Sequence, residues 1–184
     1  MSLSNELGFA YWLGVGTHHR GWSLTALGQA QEGLTLLTRG LSMVRAAGAG
    51  ITMSAILMQL AEGHAKLGRP DEGVKCLAEA AQLVETTDER FAEAELHRLQ
   101  GDLLNVAGDG ASAERSYHQA LAIAKRQSAK LWELRAATSL ASLWRDQGKR
   151  AEAHDLLAPV YSWFTEGFDT PVLQDAKALL DELA

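Results

Sequence analysis

The sequence predicts an all-α fold, a solenoid of about four stacked helix pairs followed by a closing helix. Three observations carry that prediction. Helix-forming Ala, Leu, Glu, Gln and Arg dominate, and only 3 of the 184 residues are proline, a composition that favours helices. Turn and small residues also recur at a fixed period. Gly28, Gly68, Gly108 and Gly148 lie 40 residues apart. Seven positions before each stand Gly21, Ala61, Gly101 and Ala141, and five after each stand Gly33, Gly73, Ala113 and Ala153. Nine after come the large residues Leu37, Leu77, Tyr117 and Leu157, and twelve after come Gly40, Ala80, Ala120 and Val160. Columns that agree at one period are the mark of stacked supersecondary units. The third observation is the spacing of apolar residues across 91–127. Ala94, Leu96, Leu99, Leu103 and Leu104 precede the Gly108-Asp109-Gly110 turn, and Ala113, Tyr117, Ala120, Leu121 and Ala124 follow it. Steps of three and four gather each set on one helical face.

The elements follow in order. The first helix is expected from after Ser4 to about Leu27. It is crowded with Phe9, Tyr11, Trp12, Gly14, Gly16, Gly21 and Trp22. Each internal glycine costs about 1 kcal/mol against alanine, so tertiary packing must hold it. Gly14-x-Gly16 is no dinucleotide fingerprint, because no strand precedes it and no third glycine follows in place. The second helix is expected from Ala30 to Ala47, broken by Gly48-Ala49-Gly50. The third runs from about Thr52 to Leu67. A fourth begins at Pro70, where a first-turn proline forfeits no hydrogen bond, and reaches about Val84. Thr86-x-x-Glu89 reads as a capping box for the fifth helix. The sixth is expected to end near Gln127, with Ser128 capping the seventh, and Gly148 to end the seventh. The eighth is expected over 151–165, with Gly167 as its stop. Thr170-Pro171 opens a last helix to Leu183 that carries Val172, Leu173, Ala176, Leu179, Leu180 and Leu183 on one face and mostly charges on the other, as a terminal cap requires.

Composition narrows the function classes. The net charge is −6. Residues 1–92 carry 7 basic and 9 acidic side chains, residues 93–184 carry 10 and 14, so neither half has the basic footprint of nucleic-acid binding. No apolar run of membrane-spanning length appears. The single cysteine, Cys76, excludes an internal disulfide and suits a reducing cytoplasm. The six histidines include no H-E-x-x-H and no pair four apart, so no metal site or other cofactor is expected. Gly148-Lys149-Arg150 lacks the upstream glycine and the Ser/Thr of a phosphate loop. No catalytic constellation emerges, and the segment reads as non-enzymatic.

The repeat columns resemble the tetratricopeptide (TPR) motif. Gly101, Leu104, Gly108, Ala113, Tyr117 and Ala120 match it, as do Ala141, Trp144, Gly148, Ala153 and Leu157. The first two copies are looser, with Gly33 and Gly73 in an alanine column and His64 in a large apolar one. The period of 40 exceeds the usual repeat of about 34 and is similar to a longer-helix variant. The resemblance implies a single domain over 1–184: a right-handed superhelical solenoid with repeats at about 5–47, 51–86, 88–127 and 129–166 and a capping helix at 171–183. The segments RFAEAELHRLQGDLL, LRAATSLASLWRDQGKRAEAHDLLAPVY and WFTEGFDTPVLQDAKALLDELA resemble the C-terminal helical-repeat tails of bacterial multidomain ATPase, nucleotide-cyclase or transcriptional-regulator proteins. That likeness implies a regulatory tail of a larger signalling protein.

In tetratricopeptide arrays the first helix of each pair lines a concave groove. Carried onto this chain, the groove residues are His18 and Trp22, with Val15 and Thr25; Met58, Glu62 and Lys66; Arg98, Asp102 and Asn105; and Arg135 and Arg145, with Thr138 and Ser142. Three arginines on neighbouring helices suit a carboxylate-bearing peptide, while Arg98 and Asp102, four apart, also suit a plain ion pair. Trp132, Trp144 and Trp163 read as core or cap packing. Phe9, Tyr11, Trp12 and Leu13 cover more than one side of the first helix. They imply packing against an earlier repeat, pairing of two copies, or burial against the second helix. The expected partners are a protein or peptide, upstream domains of the same chain, or a second copy.

Overall fold

A left-handed residue follows each of the first seven helices, and it recurs twice as often as the glycine period suggests. The computed structural model describes residues 9–48 and 52–184. Among them are nine α-helices and no strand: α1 (Ala10–Ala26), α2 (Ala30–Ala46), α3 (Met53–Lys66), α4 (Pro70–Thr87), α5 (Glu93–Val106), α6 (Gly110–Arg126), α7 (Lys130–Asp146), α8 (Arg150–Tyr161) and α9 (Pro171–Leu183). Gly28, Gly68, Gly108 and Gly148 sit at φ +84°, +68°, +83° and +80°. Midway between them Gly48, Asp88 and Ser128 adopt the same conformation, at φ 69°, 56° and 56°. One left-handed residue therefore recurs at steps of 20 residues, within pairs and between them. At most of them the closing bond joins an N–H to the carbonyl five residues back, as in Asp109 N to Leu104 O at 3.0 Å and Ala129 N to Ala124 O at 2.9 Å, which is the Schellman pattern.

The chain divides into two compact units, residues 1–92 and 93–184. In the first, α1 and α2 pack closely because glycines face each other. A Cβ on Gly21 would lie 2.8 Å from Gly33 O, and one on Gly40 would lie 2.7 Å from His18 Cβ. Glycine in α1 thus gives up helix propensity and gains close approach. The buried side of α1 is Gly14, Thr17, His18, Gly21 and Thr25, small or polar throughout. Three aromatic residues on or beside it are left outside: Phe9 is 52% exposed, Trp12 61% and Trp22 45%. The apolar core comes instead from Leu34, Leu37, Leu41 and Val44 of α2, Ile56, Leu57 and Leu60 of α3, and Leu77 and Val84 of α4.

Two local expectations are corrected here. Thr86 does not open a capping box; its hydroxyl donates back to Gln82 O at 2.9 Å, and α4 continues through it. Glu89 serves the start of α3, accepting from Thr52 N and from Ser54 Oγ, each at 3.2 Å. Likewise Ser128 does not cap α7. It occupies the left-handed turn, and the N-cap position falls to Ala129, which makes no side-chain cap bond.

In the second unit Gly101 lets Tyr117 lie flat against α5, where a Cβ would stand 2.4 Å from the ring. Tyr117, Leu121, Leu134, Leu140, Leu157, Leu173 and Leu179 belong to one buried cluster, with Ala113, Ala120, Ala137 and Ala141 filling between them. α6 is capped by Asp109, whose carboxylate accepts from Ser112 N at 3.0 Å. Helix α8 ends at Tyr161, earlier than expected, two residues after its internal Pro159. Gly167 lies in the loop beyond, at φ 78°. Thr170 and Pro171 take the N-cap and first-turn places of α9, but the Thr170 hydroxyl donates to Gly167 O at 2.6 Å instead of capping. Helix α9 buries Leu173, Ala176, Leu179 and Leu183 against α7 and α8. Trp132 packs on Ala94, Ile123 and Ala124, and Trp144 on the main cluster. Trp163 is 57% exposed, so packing was the wrong expectation for it; Phe164 packs against the cluster in its place.

Candidate functional site

The second unit holds a pocket of about 320 Å³ lined by Arg98 of α5, by Arg135, Thr138, Ser139 and Ser142 of α7, and by Val172 and Asp175 of α9. Positions 135, 139 and 142 follow the i, i+4, i+7 spacing of one helical face.

A buried carboxylate organises the charges beneath it. Glu95, 6% exposed, accepts from Arg98 Nε at 2.8 Å and from Arg98 Nη2 at 2.6 Å. The same Glu95 Oε1 lies 2.9 Å from Arg135 Nη2. Arg98 Nη1 donates to Asp102 and, at 3.4 Å, to Ser139 Oγ. Asp102 also accepts from the Tyr117 hydroxyl at 2.9 Å. Burial first, and then the Asp102 charge, push the Tyr117 phenol well above its ordinary range, so it stays a donor. Arg98 is 7% exposed and its fork is directed inward, as a buried guanidinium requires.

Arg135 differs. It is partly exposed, its guanidinium carbon lies 5.6 Å from the Trp132 ring centroid, and among the described residues its ion pair is the one through Nη2. The two serines are also poised as donors. Ser139 accepts from Arg98, and Ser142 accepts from Arg145 Nη2 at 3.2 Å. Each hydroxyl hydrogen is left to point elsewhere. Thr138 donates to Leu134 O at 2.8 Å, so towards the pocket it offers an acceptor.

The remaining candidate residues are dispersed. Arg145 pairs with Asp146 at 2.9 Å and with Glu182 at 2.7 Å. Asn105 is exposed. In the first unit Glu62 and Lys66 form an i,i+4 pair at 3.3 Å, Met58 is 4% exposed and Trp22 45%. Thr25 is buried and donates to Gly21 O at 3.1 Å. His18 is 3% exposed; Nδ1 lies 3.4 Å from Gln59 Oε1, and Nε2 has no hydrogen-bond partner among the described residues. Burial, then the neighbouring His19, push its imidazole down to about 4. The ring is therefore neutral near pH 7. Tyr11 and Leu13 are half-buried beside exposed Phe9 and Trp12, with Tyr11 and Trp12 edge to face at 5.1 Å.

Sequence reasoning missed Glu95, Ser139, Val172 and Asp175. A signal existed for Glu95, three residues before Arg98, and for Ser139, four after Arg135. Val172 and Asp175 reach the pocket only through the packing of α9. Among the described residues no group of three or more His, Cys, Asp or Glu could hold a metal ion, and no helix is long and apolar enough to cross a membrane. Burial raises the Cys76 thiol above its ordinary range, away from the thiolate that nucleophilic chemistry needs.

No protein-family model matches the sequence, and no curated protein matches it. Solved structures do. Two crystal structures of a kinesin light chain-like protein from Podosopora anserina, with nearly identical TPR-like repeats, align with TM-scores of 0.66 and 0.65. Each is 19% identical and covers 95% of this chain, and this chain covers 85% and 86% of theirs. Helix pairs, left-handed turn residues and these alignments agree on one conclusion: the chain has the all-α helical repeat fold of the TPR-like proteins.

Proposed function

We propose that this chain is a protein-interaction module that binds a peptide or partner domain, and that it serves as the regulatory tail of a larger bacterial signalling protein in the cytoplasm. No reaction is assigned to the segment. The observation that supports the reading best is the polar pocket of the second unit, where Arg135 keeps unspent N–H donors beside two serine hydroxyls. A partly exposed guanidinium beside an aromatic ring is a good anchor for a partner's acidic group. The groove residues His18, Trp22, Met58, Glu62, Lys66, Arg98, Asp102, Asn105, Arg135 and Arg145 belong to this proposal unequally. His18, Met58 and Arg98 are buried and act as support, while Arg135 and Trp22 are accessible.

The test is affinity capture from a bacterial lysate with the native segment and with Arg135→Glu, both verified as helical by circular dichroism. A prey held by the native segment and lost by Arg135→Glu supports the groove. Prey held equally by both refutes it.

A second reading is favoured by the exposed aromatic side of α1. Phe9 and Trp12, with half-buried Tyr11 and Leu13, offer an apolar surface on which two copies, or an upstream domain of the same chain, would pack. Light scattering on the native segment and on Trp12→Ser distinguishes it: a dimer lost in the variant supports self-association, and a monomer in both refutes it.

A further inference from the structure

The pocket of the second unit carries an inference beyond protein docking. We infer that it binds a small α-amino-acid-like zwitterion, with the ligand carboxylate on Arg135, Ser139 and Ser142 and the ligand's cationic nitrogen at Asp175.

The argument is an accounting of donors and charges. Arg98 is committed to Glu95, Asp102 and Ser139. Arg135 spends one nitrogen on Glu95 and keeps Nε and Nη1. Ser139 and Ser142 accept from arginines, so their O–H bonds remain to donate. Four unspent donor groups, two of Arg135 and the two hydroxyls, therefore share one face of α7, and a carboxylate is their natural complement. On the facing wall Asp175 lines the same pocket and forms no ion pair among the described residues. The charges then select the ligand. The charged lining is Arg98, Arg135 and Asp175; Arg98 is paired with Glu95 and Asp102, so the charges turned to a ligand are Arg135 and Asp175, one of each sign. A phosphate or a dicarboxylate would meet uncompensated repulsion. A ligand that carries its own cation next to its carboxylate meets both signs. The volume of about 320 Å³ lies at the small end of ligand sites, suited to one amino acid. Val172 gives an apolar wall for its side chain.

The same chemistry could come from a free amino acid or from a chain terminus, and the two differ in charge. A C-terminal residue has the carboxylate but an amide in place of the ammonium. The test is isothermal titration of the segment with free L-valine and L-leucine, their N-acetyl forms, their methyl esters, and inorganic phosphate. The free amino acid is expected to bind, with loss of about tenfold or more on N-acetylation or esterification, as expected for a charged hydrogen-bond partner removed. Asp175→Asn is expected to reproduce the N-acetyl loss, and Ser142→Ala part of the ester loss. Both positions are at least partly exposed, and thermal melts verify folding. No binding by any amino acid at millimolar concentration overturns the inference. Equal binding of the N-acetyl form overturns it in favour of a chain terminus. Tighter binding of phosphate overturns the charge argument. The capture experiment above reads protein partners, so either proposal can fail while the other stands.

Discussion

Glu95 is the residue whose replacement tests the buried network most directly. It is 6% exposed and accepts two hydrogen bonds from Arg98, which is itself 7% exposed. Glu95→Leu keeps an apolar stem but removes the carboxylate that holds Nε and Nη2 of Arg98. Removing one partner of a buried pair costs about 3–5 kcal/mol, while replacing both with apolar residues is often neutral. Asp102 still holds Arg98 Nη1, which places the single variant near the lower end, about 3 kcal/mol. The double variant Glu95→Leu/Arg98→Met removes both buried charges. The neighbours it releases are partly open to water: the Asp102 side chain is 36% exposed and that of Arg135 26%. The double variant is therefore expected within about 1 kcal/mol of the native protein. Equilibrium urea unfolding followed by far-UV circular dichroism measures both. A single variant that loses under about 1 kcal/mol would mean that water reaches Arg98. A double variant as unstable as the single would mean that packing, not charge, sets the cost.

Three further predictions follow from the same geometry. His18 falls from 6.5 to about 4 on folding, so the fold favours the neutral ring. Its contribution is complete above pH 6.5 and is lost as pH falls towards 4, by up to about 3 kcal/mol in all. Urea midpoints of the native protein should drop between pH 7 and 5 more steeply than those of His18→Gln; parallel slopes would refute this. Ser128→Gly should stabilise by up to about 1 kcal/mol, because serine at φ 56° carries left-handed strain that glycine lacks. No gain in the urea midpoint would contradict it. Gly101→Ala should cost about 1–3 kcal/mol by overpacking, since the new methyl would stand 2.4 Å from the Tyr117 ring. A neutral result in the same assay would show that the ring shifts freely.

The helix pairs were legible because glycine at 28, 68, 108 and 148 announces a left-handed turn. The intervening turns were half hidden, since Asp88 and Ser128 adopt that backbone with side chains that equally suggest caps. Thr86 and Glu89 illustrate the ambiguity. Their spacing matches a capping box, but the threonine finds Gln82 O in its own helix and the glutamate finds α3. The helix bounds elsewhere fall within a few residues of expectation, as fraying ends usually do; the start expected after Ser4 for the first helix lies outside the described residues. At the site, the Arg98–Asp102 pair was readable from spacing alone. The deeper partnership of Arg98 with Glu95 was not singled out, because i,i+3 pairs are common on solvated faces and only the arrival of Arg135 from α7 makes this one central. Asp175 could not be placed at all without the docking of α9.

The equal spacing of left-handed residues at 28, 48, 68, 88, 108, 128 and 148 bears on how such a chain can change its length. The first seven helices each end at a left-handed residue of this series, so the backbone accepts a cut or an insertion after any of the seven. The side chains do not. Odd and even helices bury different columns, with small residues at 21, 61, 101 and 141 on one set and large apolar ones at 37, 77, 117 and 157 on the other. Adding or losing one helix would preserve every turn and reverse the parity of all that follows, exposing cores and burying charges. Adding or losing two would preserve both. Recombination within this chain is thus free in its turns and constrained in its parity, and lengths of 40 residues are the steps it can take.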